Sequence, residues 1–310
     1  MRDYISKTDI SKFNKSFDSS ALNKISRNAL TRTQIDDIAM NWEAYRKVDH
    51  TYSNVVTNEM KKVTNQKASG RCWGFAGLNL MRISLAEKYN LSDFEFSQNY
   101  FMFFDKLEKS NYFLNSIIST ADSSWNSRII MHLLDNPIQD GGQWDMWVNL
   151  INKYGVVPKS VMPETYQSSR SMRMNRMITR KLREFAKELR DAIKNNIDKE
   201  NLFNMKDDML NVVYKMLVIH LGTPPNKFIW QIRDKKKNFL RFENLTPQSF
   251  FSKHVGLNLS DLVCLINCPM SDKSYKKVYS VEHLGNVVEG QPIRYLNTKI
   301  EILKNAAILN

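Results

Sequence analysis

Apolar residues recur every three or four positions over several long stretches of this chain, which is the spacing that gathers them on one face of an α-helix. Trp73, Ala76, Leu80 and Ile83 follow that spacing and predict a helix over 72–90. The same pattern predicts helices over 96–118, 121–135, 143–154 and 167–221. Three short stretches are typical of β-structure instead: 52–57, a lysine-rich hairpin at 228–243, and 260–283.

The polar loop before the first long helix, NQKASGRCW at 65–73, carries the clearest chemistry. Cys72 falls at the first turn of that helix, where unpaired N–H groups and the helix dipole favour a thiolate, the form that attacks carbonyls. Gln66 supplies an amide that can donate a hydrogen bond to the resulting oxyanion. A lone cysteine at a helix start is more often buried and inert, but the glutamine and the small residues beside it favour a nucleophile.

The pattern Q-x-x-x-G-x-C-W resembles the active-site cysteine segment of papain-like peptidases, and NQKASGRCW is most similar to the bleomycin hydrolase and aminopeptidase C branch. Further segments resemble that branch in the same order: FEFSQ at 94–98, DGGQWDM at 140–146 and KYGVVPK at 153–159. The resemblance implies an α+β, papain-like fold with large helical and hook-like insertions. It also implies a cysteine aminopeptidase that cleaves peptide and amide bonds, including unusual ones such as those of bleomycin, through an acyl-enzyme.

On this resemblance the chain divides into four parts. Residues 1–60 form an N-terminal arm, and 61–166 form the papain-like helical lobe with the nucleophile helix. Residues 167–250 are the helical and hook-like insertion. Residues 251–310 begin a β-rich lobe, which we expect to be incomplete.

Gly141 and Gly142 lie in the DGGQWDM segment. In papain-like peptidases a Gly-Gly pair lines the substrate cleft, where backbone groups bind an extended peptide. Glycine suits that role because it has no Cβ, so another backbone can approach closely, and because it adopts conformations closed to other residues. A tight turn after Asp140 is the alternative interpretation.

A cysteine peptidase also needs an imidazole beside the thiol and a group that orients it. His50 and His132 lie outside any segment that resembles the family's histidine site, His254 lies in a loop-like stretch, and His283 stands where relatives typically carry a tyrosine. His220 has the spacing of a packed or capping residue at a helix end. In this branch the histidine and its Asn-Ser-Trp segment come later, so we expect the chain to stop before them and to be inactive alone.

The predicted helical insertion carries a stripe of cations at three- and four-residue steps: Arg170, Arg173, Arg176, Arg180, Arg183, Lys187, Arg190 and Lys194. A second, apolar face is formed by Met174, Met177, Ile178, Leu182, Phe185 and Leu189. Relatives are known as hexamers with a basic channel, so Arg173, Arg176, Arg180 and Arg183 are candidate contacts for nucleic acid of any sequence. A solvated face paired with acidic neighbours is the alternative.

The composition indicates a globular, intracellular protein. The 310 residues are 42% hydrophobic and carry a formal net charge of +13. The N-terminal residues contain no apolar run long enough for a signal peptide or a membrane span.

Three cysteines are too few for a disulfide framework and favour a reducing, cytoplasmic setting. Cys264 and Cys268 lack two further ligands for zinc and are expected in a buried strand, so no metal or cofactor is expected. Expected partners are peptides or small amides, further copies of the chain and non-specific nucleic acid, without a membrane.

Overall fold

The structure is a computed structural model that describes residues 4–49, 51, 62–259 and 262–309. It divides into two compact units, Met1–Thr57 and Asn58–Asn310. The predicted strand at 52–57 lies outside the described residues.

The first unit is built from short amphipathic helices: α1 Lys7–Asp18, α2 Ala21–Leu30, α3 Ile35–Ala39 and α4 Trp42–Lys47. Polar side chains begin three of them. Ser6 and Asp9 form a capping box at α1, and Ser20 and Asn41 cap α2 and α4. None of the residues described in these four helices is buried.

The second unit contains the helices α5 Cys72–Lys88, α6 Gln98–Ser119, α7 Arg128–Asp135, α8 Trp144–Tyr154, α9 Tyr166–Ser169, α10 Met172–Lys194, α11 Lys199–Leu221, α12 Pro247–Phe250 and α13 Ile300–Leu309. The predicted helices over 72–90, 96–118 and 143–154 are confirmed. Gly155 ends α8 with φ +69°, and its N–H donates to the carbonyl of Ile151 at 2.8 Å.

The prediction for 121–135 was wrong at its start. Residues 121–127 form turns, in which Ser123 N–H donates to Thr120 and Ser127 N–H donates to Ser124. The helix begins only at Arg128, because the Ser127 hydroxyl accepts the N–H of Ile130 as an N-cap.

Helix α6 lies at the centre of the core and contacts α5, α7, α8, α10 and α11. Phe103, Leu114 and Ile117 of α6 are fully buried, together with Leu85 of α5 and Trp147 of α8. Burial of each such side chain contributes about 1.5–3 kcal/mol. The helical insertion therefore shares one core with the helix that carries the cysteine.

One residue of the predicted apolar face of α10 is misplaced. Met174, Ile178, Leu182 and Leu189 are buried as predicted, but Met177 is 53% exposed. At the 3.6-residue period, Met177 lies about 100° from the centre of the buried stripe, which puts it on the boundary with solvent.

The predicted hairpin is confirmed as β1 Phe228–Arg233 paired antiparallel with β2 Phe239–Leu245. The prediction that 260–283 is mostly strand was wrong. In its described part, only β3 Cys264–Ile266 and β4 Val278–Tyr279 are extended, and β5 Tyr295–Asn297 joins them, parallel to β3 and antiparallel to β4. The turns between β3 and β4 are fastened by Asn297, whose amide donates to the carbonyls of Cys268 and Lys273.

Within the described ranges, no helix combines the length and apolar character that a bilayer span requires. In the same part of the chain, no three His, Cys, Asp or Glu side chains are grouped closely enough to hold a metal ion.

Candidate active site

Cys72 is the first residue of α5 and is exposed. The N-cap residue is Arg71, which makes no side-chain cap, so the N–H groups of the first turn receive no capping side chain. A negative charge is favoured at such an end. The predicted position of Cys72 at a helix start is confirmed.

The loop that leads to Cys72 is stabilised by the buried side chain of Arg71, which is only 4% exposed. Its guanidinium binds both carboxylate oxygens of Glu164, at 2.9 and 2.7 Å. Its Nε donates to the hydroxyl of Ser69 at 2.8 Å, and that hydroxyl donates to the carbonyl of Gln66 at 2.5 Å. One buried cation therefore fixes the backbone from Gln66 to the nucleophile helix.

The carboxylate of Glu164 stays charged at neutral pH. Burial alone would raise the pKa of Glu164, but hydrogen bonding and the charge of Arg71, with help from Ser168 and Lys159, outweigh burial and hold the pKa below its ordinary value. Sequence analysis did not single out this pair as part of the site, because its members lie 93 positions apart.

Gln66 is half-buried beside this loop. Its Oε1 is buried and has no hydrogen-bond partner among the described residues. Donation to an oxyanion would come from the amide nitrogen, Nε2, and not from this oxygen, which can only accept. The role of Gln66 as an oxyanion donor therefore stays a prediction.

The Gly-Gly segment lies directly against the residue that follows the cysteine. The indole Nε1 of Trp73 donates to the carbonyl of Asp140 at 2.8 Å. A Cβ at Gly142 would lie 2.6 Å from the indole ring, whereas a Cβ at Gly141 would meet nothing within 4 Å. Gly142 therefore permits the close approach of Trp73, and Gly141 borders open space. Residues 141–143 form no turn, which argues against the alternative interpretation.

Gly70 brings the cysteine loop against the same segment. It adopts φ +59°, in the left-handed region, and a Cβ there would lie 2.6 Å from the carboxylate of Asp140. Both backbone conformation and space thus require glycine between Gln66 and Cys72. The glycine pair does not share this torsional reason, because neither Gly141 nor Gly142 has a positive φ.

Two of the histidines have partners away from Cys72. His220 lies in the last turn of α11, and its Nδ1 is 2.6 Å from the carbonyl oxygen of Met216, as the helical spacing predicted. The loop-like prediction for His254 was wrong. His254 is buried in a π-helical turn, Phe251–Val255, with its Nδ1 2.6 Å from the hydroxyl of Tyr89.

The remaining described histidines, His132 and His283, line a cavity of about 190 Å³ together with Lys109 and Asp135. His283 also lies 3.9 Å from Glu282. His50 lies outside the described residues.

The four candidate nucleic-acid contacts do not share one environment. Arg173, Arg176 and Arg180 are exposed on α10. Arg183 is also exposed, but its guanidinium donates to the carbonyls of Leu134 and Asp135 at the end of α7, both at 2.7 Å. Arg183 therefore caps a helix C-terminus, which satisfies carbonyls that lack intrahelical partners.

Comparisons with known proteins show the family of this chain. The sequence model of the Peptidase C1-like family matches residues 4–310. The chain is 49% identical over 245 residues to aminopeptidase C of Listeria innocua, covering 79% of this chain and 55% of that protein. It is 40% identical over 287 residues to bleomycin hydrolase of Gallus gallus, covering 91% of this chain and 63% of that protein.

Among solved structures, the chain is similar to PepW from Lactobacillus rhamnosis HN001, with a TM-score of 0.91 and 43% identity. The alignment covers 100% of this chain and 69% of that chain. The chain spans 55 to 63% of the length of the two curated relatives above. These matches confirm the resemblance and the α+β, papain-like fold. The chain belongs to the Peptidase C1-like family.

Proposed function

We propose that this chain carries the nucleophile and the main-chain binding segment of a cysteine peptidase that acts on peptides or small amides. The observation that carries the proposal is the 2.8 Å hydrogen bond from Trp73 to Asp140, which joins the helix that bears Cys72 to the Gly-Gly segment. A nucleophile and a backbone-lined segment are thereby held side by side.

The chemistry follows from these groups. The thiolate of Cys72 attacks the carbonyl carbon of the substrate, and the oxygen of the tetrahedral intermediate takes the negative charge. The amide of Gln66 donates a hydrogen bond to that oxygen. Collapse breaks the C–N bond, releases the amine after it gains a proton, and leaves an acyl-enzyme that water hydrolyses.

The amine's proton normally comes from an imidazole. His220 and His254 are bonded to Met216 and Tyr89, so we assign that role to neither of them. Loss of general acid–base help typically costs about 10²–10⁴ in rate. We therefore propose that residues 1–310 alone label at Cys72 but turn over peptides slowly.

The similar proteins are named aminopeptidase C and bleomycin hydrolase. We extend those activities to this chain as a proposal, with a cytoplasmic location and a homo-oligomeric state. The three described cysteines are free, which supports a reducing compartment.

The test is selective alkylation of the folded chain with iodoacetamide at mildly acidic pH, read by peptide mass spectrometry. Cys72 is expected to react first. Burial, and next the charge of Asp145, raise the pKa of Cys264, so its thiol should react later. Cys72→Ser should remove the fast phase and leave the slow one. Faster modification of Cys264 or Cys268 than of Cys72 would contradict the proposal.

A further inference from the structure

Two lysines of α6 are buried beneath the segment 138–142. The side chain of Lys106 is 1% exposed and that of Lys109 is 3% exposed. Lysine is almost never fully buried, because taking an ammonium group out of water is costly unless it is paired and hydrogen-bonded. Their burial therefore calls for a physical explanation.

Both ammonium groups bind the backbone of that segment. Lys106 Nζ donates to the carbonyls of Ile138 at 2.9 Å and Gln139 at 3.3 Å, and it pairs with the Asp140 carboxylate at 2.8 Å. Lys109 Nζ donates to the carbonyls of Gln139 at 2.8 Å and Gly141 at 2.7 Å. It also pairs with Asp105 at 3.0 Å.

Together with Trp73, which binds the carbonyl of Asp140, these lysines bond four successive carbonyls, those of residues 138 to 141. A non-helical, non-sheet segment usually leaves such groups to water. Here the carbonyls of residues 138 to 141 are all committed to the protein. Gly142 is the next residue, and neither its N–H nor its carbonyl has a hydrogen-bond partner among the described residues.

Lys109 also contacts Trp73, the residue that follows the nucleophile. Lys109 Nζ lies 5.0 Å from the ring centroid of Trp73, a cation–π distance. Gly142 packs against the same indole, where a Cβ would approach to 2.6 Å. Lys109, Trp73 and the segment 138–142 thus form one contiguous group next to Cys72.

We propose that Lys109, assisted by Lys106, is a positioning residue for peptide recognition: it commits the carbonyls of 138–141 and so holds the free backbone groups of Gly142 at a fixed place beside Cys72. This inference rests on the proposed function, because it assumes that a peptide main chain binds at Gly142. Neither lysine touches the reacting atoms.

The charge state of Lys109 supports this arrangement. Burial lowers its pKa to about 8, although Asp105 acts in the opposite direction. Loss of the proton removes one donor from a group that here serves three acceptors. Recognition that depends on Lys109 should therefore weaken as pH rises through about 8.

Two variants and one control isolate the effect. Lys109→Met removes the donors but leaves Asp105 buried without its partner, and this destabilises the fold. The double variant Asp105→Asn/Lys109→Met removes both charges, so no unpaired charge stays buried and the fold is destabilised less. Glu108→Gln is the matched control, because Glu108 is buried on the same helix and binds Lys153 and Tyr154 rather than the segment.

The experiment compares two rate constants for labelling of Cys72, one with iodoacetamide and one with a dipeptidyl chloromethyl ketone. The rate constant for the chloromethyl ketone divided by that for iodoacetamide measures main-chain recognition, because only the first reagent carries a peptide backbone. In the wild-type chain the ratio should exceed that of Glu108→Gln by less than about twofold. In both Lys109 variants it should fall by about 10-fold to 10²-fold, since small misplacements next to the chemistry have effects of that size. The iodoacetamide rate should stay unchanged.

An unchanged ratio in a folded double variant would overturn the inference. If the wild-type chain showed no preference for the peptidyl reagent, the proposed function would fail instead. Limited proteolysis then tests the positioning by itself, because it reports how firmly the segment is held. Cleavage within 138–143 should be faster in the Lys109 variants than in Glu108→Gln, and equal cleavage would overturn the positioning role.

Discussion

Cations occur in two contrasting environments in this protein. Around the candidate site, Arg71 and Lys109 are buried and bonded to a carboxylate and to backbone oxygens. On α10, Arg173, Arg176 and Arg180 are exposed on the face that turns away from the core. The same kind of charge thus fixes backbone geometry in one place and contributes a long-range field in the other.

The difference has an energetic consequence. An exposed ion pair contributes about 0–1 kcal/mol, because water and salt screen it. Removing one partner of a buried pair costs about 3–5 kcal/mol, because the other charge stays buried and unpaired. Substitution of a buried cation should therefore lower the free energy of unfolding much more than substitution of an exposed one.

The largest effect is expected for Arg71→Met. It leaves Glu164 without the guanidinium that binds both of its oxygens, and it releases Ser69. The free energy of unfolding should fall by about 3–5 kcal/mol. Arg173→Met, on the exposed face, should change it by less than about 0.5 kcal/mol. Urea unfolding followed by circular dichroism measures both, and equal losses would remove the contrast between the two environments.

The exposed half of this comparison could be predicted from the sequence, and the buried half could not. The period of α10 follows from local spacing, so most of the basic face and most of the apolar face were predicted. Arg190 of the predicted stripe is instead buried and donates to the carbonyls of Thr120 and Ser123. Glu164, which Arg71 binds, lies 93 positions away, and Gly141, whose carbonyl Lys109 binds, lies 32 positions away. No local pattern reports such contacts. A hint was present in FMFFDKLEKS at 101–110, where two lysines interrupt an apolar run.

The site shows the same division. Cys72 and the helix that carries it are local features, and the motif predicted both. The resemblance to papain-like peptidases assigned Gly142 to the cleft, and the structure adds a particular reason for glycine there, the indole of Trp73. The start of α7 depended on the cap by Ser127, and the π-helical turn at His254 packs against the rings of Tyr89 and Trp230, which are distant in sequence. Periodicity alone does not encode these.

A smaller effect is expected from acid. The pKa of Glu164 is held below its ordinary value, so its contribution to stability is complete above pH 4.5 and is lost as pH falls through the lowered pKa. Each unit of difference in pKa corresponds to about 1.4 kcal/mol. The wild-type chain should therefore lose more stability between about pH 5.5 and 3.5 than Glu164→Gln does. Glu184→Gln, which removes an exposed pair with Lys181, should keep the wild-type pH dependence.

The smallest effect on stability, and the sharpest test of the exposed cations, is expected for Arg173→Gln/Arg176→Gln/Arg180→Gln. These residues have no role in the core, so the free energy of unfolding should change little.

If the chain binds nucleic acid through this face, its affinities for unrelated DNA oligomers should fall together as salt rises, because counterions released from phosphates dominate binding. The slope of log K against log salt should flatten by about one for each arginine that contacts a phosphate. Arg183→Gln is the control with opposite behaviour. It removes the cap on α7, so it should lower the free energy of unfolding more than the triple variant does and flatten the salt slope less. Absent binding at low salt, or an unchanged slope in the triple variant, would identify the basic face of α10 as a solvated surface.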